Sequence, residues 1–250
     1  MTARPIAPSL SLRRYGVDEA SDVHDFHQVV LGVAGEMVMS VDGVAERVDG
    51  RHAWLIPAGA RHDYAGLGPN RQLVLDLPVA SLAVPERLFA RGRPIAVAPA
   101  LDALVHELAA LDTLGTSRTA QWQAAARLCD ALVGAPGDTA GGSPAGLDFA
   151  RIDRWLRARL AEPLRVADLA AHCGFGLRRF HQVFVEAFGE TPHRYLLKLR
   201  LDTAVLLLAD PRRALADIAA DVGFADQSAL THAFTRRFGI APGQWRAGRH

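Results

Sequence analysis

Arg178, Arg179, His181 and Gln182 crowd the start of one helical stretch, and Gln227, Ser228, Thr231 and His232 the start of another, fifty positions further on. An Arg guanidinium can donate two parallel hydrogen bonds to guanine O6 and N7, and a Gln amide can pair bidentately with adenine N6 and N7. Arg236 and Arg237, at the far end of the second stretch, suit phosphate, which positions a protein on a duplex without reading its sequence. Such groups read base edges only when a helix presents them together and its other side is held. Phe180, Val183, Phe184 and Ala187 recur at i, i+3, i+4 and i+7 and supply that held side in the first stretch. Leu230, Phe234 and Phe238 supply it in the second.

The surrounding pattern is one module written twice. Phe180, Phe184, Phe188, Gly189, Pro192 and Tyr195 return fifty residues later as Leu230, Phe234, Phe238, Gly239, Pro242 and Trp245. Upstream the offset is 49, with Leu169, Ala170, Gly174 and Phe175 matched by Ile218, Ala219, Gly223 and Phe224, so the second copy carries one extra residue. Two copies are too few for a solenoid. Each reads as a short helix (166–173, then 216–222), a glycine turn and a longer helix (177–187, then 226–238), the layout of a helix-turn-helix. Between them, Thr191 to Leu208 reads as one Leu-rich helix of about 27 Å, a strut able to set two recognition helices about one DNA turn, roughly 34 Å, apart.

Charge agrees with this division. Residues 1–150 hold 12 Arg, no Lys and 17 acidic residues, a net −5; residues 151–250 hold 16 Lys and Arg against 10 acidic residues, a net +6. The split points the C-terminal half alone towards a polyanion. Cys129 and Cys173 give neither a disulfide framework nor a zinc site and suit a reducing cytoplasm. No run is long and apolar enough for a membrane span, and the first twelve residues have no signal-peptide stretch. No GxSxG, CxxC or phosphate loop is present, and Asp168, Asp217 and Asp221 suit caps or solvated helix positions.

Residues 24–77 read instead as short strands with tight turns: His27–Gly32, Glu36–Val41, Trp54–Ile56 and Gln72–Leu77, with Asp42-Gly43 and Asp49-Gly50 as hairpin signals. Strands at this spacing predict an antiparallel sandwich or barrel. Leu101, Leu104, Val105, Leu108 and Leu111 then mark a helix over 99–112, and Trp122, Ala126, Cys129 and Leu132 another over 116–133. A Gly-, Pro- and Ala-rich stretch follows. The expected organisation is α+β in two domains: a β domain over 1–98, helices over 99–133, a flexible linker over 134–148 and an all-α domain over 149–250.

Residues 149–250 resemble the DNA-binding domain of the AraC/XylS family of bacterial transcription regulators. The motif is Ile218-Ala-x-x-Val222-Gly-Phe-x-Asp-Gln-Ser228, then Phe234, then Phe238-Gly-x-x-Pro-x-x-Trp-Arg246. Departures from it lie mostly in the first copy: Gly176 stands where Ser usually opens the recognition helix, and Gln182, with His232 in the second copy, stands where Arg is common. Val185 and Thr235 replace a frequent basic residue. The resemblance implies a tandem helix-turn-helix domain that binds promoter DNA through the eight residues named first, with Arg236.

Pro57-Ala-Gly59-Ala-Arg-His62, with Gly50 and Asn70, resembles the second motif of the cupins, and His24-Asp-Phe-His27-Gln28 lies where the first would be. In the AraC/XylS family such a domain commonly senses a small molecule, and the helices after it often mediate dimerisation. His24, His27, Gln28, His62 and Tyr64 are the expected lining of an effector pocket. A metal-dependent cupin enzyme is the alternative, with Glu36 and His62 completing a ligand set. Its HxxH spacing turns the two imidazoles to opposite faces of a strand, so no metal, cofactor or catalytic residue is expected. The predicted function is a cytoplasmic, sequence-specific transcription regulator. Double-stranded promoter DNA and a small-molecule effector are its partners, and RNA polymerase and a second copy of the chain are further candidates.

Overall fold

The computed structural model describes residues 7–79, 81, 82, 84, 86–111, 118–133, 147 and 149–247. The chain divides into two compact units, Met1–Ala140 and Gly141–His250. All but Leu147 of the expected linker, 134–148, lies outside the described residues, as does the expected start of the second helix at Thr116.

Among its described residues the first unit carries nine strands, all paired antiparallel. β1 (Ser9–Arg13), β8 (Arg71–Leu77), β3 (His27–Ala34), β6 (His52–Ile56) and β9 (Arg93–Ala96) make one sheet in that order. β2 (Ala20–Asp22), β7 (His62–Gly66), β4 (Met37–Val41) and β5 (Val44–Val48) make the other. Val30, Trp54, Ile56 and Val74 from the first sheet pack with Met37, Met39, Val41 and Val48 from the second in one buried cluster. The described strands therefore form a two-sheet sandwich rather than a closed barrel.

The two Asp-Gly signals behave differently. Asp42 and Gly43 both take positive φ, 50° and 81°, and join β4 to β5 in a hairpin, as expected. Asp49-Gly50 makes no hairpin, because β5 pairs with β4 while β6 pairs with β3 and β9. The Asp49 carboxylate accepts from the backbone N–H groups of Arg51 and His52 at 2.7 and 2.8 Å. That local turn sends the chain from one sheet to the other.

α1 (Pro99–Ala109) and α2 (Arg118–Val133) bury Leu101, Val105, Leu108, Trp122, Leu128, Cys129 and Leu132. α1 packs on β3 and α2 on β1, so their apolar faces serve this unit's own core. Gln121 clamps the edge strand: its amide donates to the Leu10 carbonyl at 3.0 Å and accepts from the Leu10 N–H.

The second unit is helical throughout its described elements: α3 (Phe149–Arg157), α4 (Val166–His172), α5 (Leu177–Phe188), α6 (Pro192–Leu207), α7 (Leu215–Asp221), α8 (Gln227–Phe238) and α9 (Pro242–Arg246). α4 packs on α5 and α7 on α8, each pair joined by a left-handed glycine, Gly174 at φ 77° and Gly223 at φ 79°. A Cβ at Gly223 would sit 2.0 Å from the Leu160 carbonyl oxygen, whereas one at Gly174 meets open space. α6 runs for 16 residues, about 24 Å, slightly less than the expected strut because Thr191 and Leu208 are its caps. Pro192 opens it and the Thr191 hydroxyl accepts from the Arg194 N–H.

Candidate nucleic-acid interface

In α5 the aromatic seam is fully used: Phe180, Val183, Phe184, Ala187 and Phe188 are buried, with Phe184 stacked on Phe188 and both edge-on to Tyr195 of α6. Arg178, Arg179, His181 and Gln182 are left exposed on the opposite side and near the start. Leu177, the first residue of the helix, is also exposed, at 54%. In α8, Leu230, Phe234 and Phe238 are buried and Trp245 of α9 closes over the two Phe rings. Gln227, Ser228 and His232 are exposed, Thr231 is half-buried, and Arg236 is exposed beyond them. Each helix thus offers one polar strip backed by a rigid apolar seam.

The two strips differ. The Gln182 amide donates to the Glu186 carboxylate at 3.0 Å, so in α5 the candidate adenine reader is tied along its own helix. At the helix starts, the Asp226 carboxylate accepts from the Ala229 N–H at 2.8 Å, whereas Gly176 offers no side-chain cap. The extra residue of the second copy lies in this turn.

Arg237, expected at the phosphate side with Arg236, turns inward. It donates to the Lys198 carbonyl at 2.7 Å and to the Asp202 carboxylate at 2.6 Å, both on α6. The pair is buried, with side-chain exposures of 14% and 7%. A guanidinium fork spanning a backbone carbonyl and a carboxylate is a structural joint between α8 and α6. Among the acids read as caps, the Asp168 carboxylate accepts from the Arg165 N–H at 3.2 Å and Asp221 pairs with Arg213.

In the first unit, the expected effector residues divide. His62 and Tyr64 alternate on β7 opposite Val41 and Met39 of β4, facing the sandwich interior. His24 precedes β3, in the loop after β2, and its ring lies 5.0 Å from that of His62, which in turn stacks on Tyr64. Gln28 faces the same interior and donates to the Asp76 carboxylate at 2.8 Å. His27 turns to the other face and stacks on Phe89. His24 lies in a loop, so the pair never had to share a strand.

The histidines also hold the cupin-like turn. The His24 carbonyl accepts from the Gly59 N–H at 2.7 Å and the His27 Nδ1 from the Ala58 N–H at 3.0 Å. The His62 Nδ1–H donates to the Ala60 carbonyl at 3.2 Å. Burial, reinforced by neighbouring His24, depresses the His27 pKa to about 4, and burial also lowers that of His62. Glu36 pairs with Arg47 on the surface. Among the described residues no group of three or more His, Cys, Asp or Glu could hold a metal ion.

Sequence reasoning missed the rest of the interior polar row. Asp76 and Gln72 flank Val74 at alternate positions of β8, and Arg13 on β1 pairs with Asp76. Gln72 is fully buried, and neither of its amide atoms has a hydrogen-bond partner among the described residues. Polar residues two apart from a core Val were the available signal.

A family profile described as a helix-turn-helix domain matches residues 169–248, from the second half of α4 through α9. The chain is 25% identical over 254 residues to the protein named "Probable transcriptional regulator LumQ" of Photobacterium leiognathi, a match covering 96% of each. It is 35% identical over 91 residues to the transcriptional activator RhaR of Klebsiella pneumoniae, covering 36% of this chain and 32% of that protein. Among solved structures, ToxT of Vibrio cholerae O395 aligns over 96% of this chain and 97% of that one at 12% identity, with a TM-score of 0.41. The chain is a DNA-binding transcriptional regulator.

Proposed function

We propose that the two helix pairs are tandem helix-turn-helix units, and that α5 and α8 enter successive major grooves on one face of promoter DNA. The observation that carries this is the double presentation: two exposed polar strips, fifty residues apart in sequence, each on a helix locked by an aromatic seam. Arg178, Arg179, His181 and Gln182 read the first half-site. Gln227, Ser228, Thr231 and His232 read the second, and Arg236 anchors phosphate. We further propose that the first unit is a cupin-like effector sensor whose ligand meets His24, His62, Tyr64 and Gln28 inside the sandwich. His27, on the other face, fixes the turn at Ala58 instead. Pairing of two copies, contact with RNA polymerase and a cytoplasmic location complete the reading. Among the described residues no helix is long and apolar enough to cross a membrane. The relatives are named as regulators, and the enzyme alternative has no support among them.

A footprint of the full chain on its own upstream DNA, across a salt series, tests the proposal. Two protected major-groove segments about one turn apart, with affinity falling steeply in salt, are expected. One protected segment, or protection unchanged by substitutions in α5, would exclude the tandem mode.

A further inference from the structure

We propose that the first unit carries a separate binding site for a small organic anion, a carboxylate or phosphate ester, at the end of the sandwich where β1 and β8 meet. A groove of about 520 Å³ opens there, lined by Arg14, Tyr15, Asn70, Arg71 and neighbouring small residues. That volume falls in the range of about 300–1,000 Å³ usual for small-molecule sites.

The last paired positions of β1 and β8 are Arg13 and Gln72, so Arg14 and Arg71 follow one step beyond, facing across adjacent strands. Both are exposed, and no acidic residue lines the groove among the described residues. The Asp76 carboxylate of β8, opposite Ser9, pairs with Arg13 and Gln28. Like charges on neighbouring strands destabilise a sheet, and an anion between two guanidinium forks reverses the sign of that interaction. Charge that merely guards a sheet edge would explain Arg14 on the edge strand β1. It does not explain Arg71, because β8 is flanked by β1 and β3.

The walls are fixed in advance. The Asn70 side chain accepts from the Tyr15 N–H at 3.1 Å and donates to the carbonyls of Tyr15 and Gly68 at 2.8 and 2.9 Å. Gly35 lies so close beneath Pro69 that a Cβ would sit 2.1 Å from its carbonyl oxygen. A groove held by such contacts loses little entropy when it takes a ligand. The occupant is small because residues 1–150 carry a net −5. A polyanion meets that whole field, whereas a compact anion within the groove is dominated by the two nearest charges.

Thermal unfolding of the full chain with sodium succinate or inorganic phosphate as probe, against sodium chloride at equal ionic strength, decides the matter. The probes should raise the Tm saturably beyond chloride, by about 3 °C at ten times the dissociation constant. The double variant Arg14→Gln/Arg71→Gln should need at least tenfold more probe for the same shift while unfolding at an unchanged or higher temperature without it. No excess over chloride, or an equal excess in the double variant, overturns the proposal. So does a double variant that loses DNA affinity but not probe response, since the arginines would then be nucleic-acid contacts.

Discussion

Position for position, Glu186 in α5 corresponds to Arg236 in α8, and the two carry opposite charge at the same place on the helices that we propose face DNA. Glu186 holds the Gln182 amide and, on the proposed reading, brings a negative group towards phosphate. Glu186→Gln should therefore tighten binding to all sequences alike, by severalfold at low salt, and steepen the salt dependence by up to one phosphate's worth. Weaker binding at one base position only would instead make Glu186 a cytosine reader. Arg236 and Arg237 give the complementary contrast. Arg236→Ala should weaken DNA binding uniformly and leave stability within about 0.5 kcal/mol. Arg237→Ala breaks a buried fork to Asp202 and should cost on the order of 3 kcal/mol in denaturant unfolding. Equal stability of the two variants would sink that assignment. From sequence the two arginines were interchangeable; which one faces α6 depends on the rotation of a neighbouring helix, which spacing along α8 alone does not report.

At the scale of elements, the glycine turns make a sharper test than the helices themselves. Gly174 and Gly223 share a left-handed conformation, but only Gly223 lies against another backbone, the Leu160 carbonyl. Gly174→Ala should cost about 1 kcal/mol, the conformational part alone; Gly223→Ala should cost clearly more, because the chain must also move. Similar losses measured by urea unfolding would mean that the close approach is easily relieved. The helices around these turns were legible because their apolar period was written twice. The strands were legible only in part. Strands β3, β4, β6 and β8 have apolar runs, whereas β2, Ala20–Asp22, is exposed or half-buried and exists through pairing with β7. Two identical Asp-Gly signals gave one hairpin and one sheet crossing, because strand partners are chosen non-locally. The proposed effector residues were picked out by a motif, and alternation within β3 separates His27 from Gln28.

For the whole molecule, acid should act on the two units unequally. In the folded chain His27 stays neutral down to about pH 4, against an ordinary value of 6.5. The unfolded chain takes up that proton first, so His27 lowers stability as pH falls from about 6.5 to 4, by roughly 1.4 kcal/mol per pH unit, and leaves it untouched above that window. His27→Gln, which can still accept from the Ala58 N–H, should flatten the acid limb of unfolding monitored in the first unit. An unchanged limb would place the titrating group elsewhere. Burial against Phe89 sets this window, and the sequence alone could not supply it.

The difference between the two helix starts has its own outcome on a promoter. Asp226, at the position that Gly176 holds in the first copy, gives the second head a carboxylate cap that the first lacks, and the two strips share no residue at equivalent positions. On the proposed reading, the bound site therefore has a direction. A two-fold dimer looks the same from either strand, but this chain would have a leading and a trailing head. Inverting its operator would carry the sensor unit from one flank of the promoter to the other without altering a single base contact.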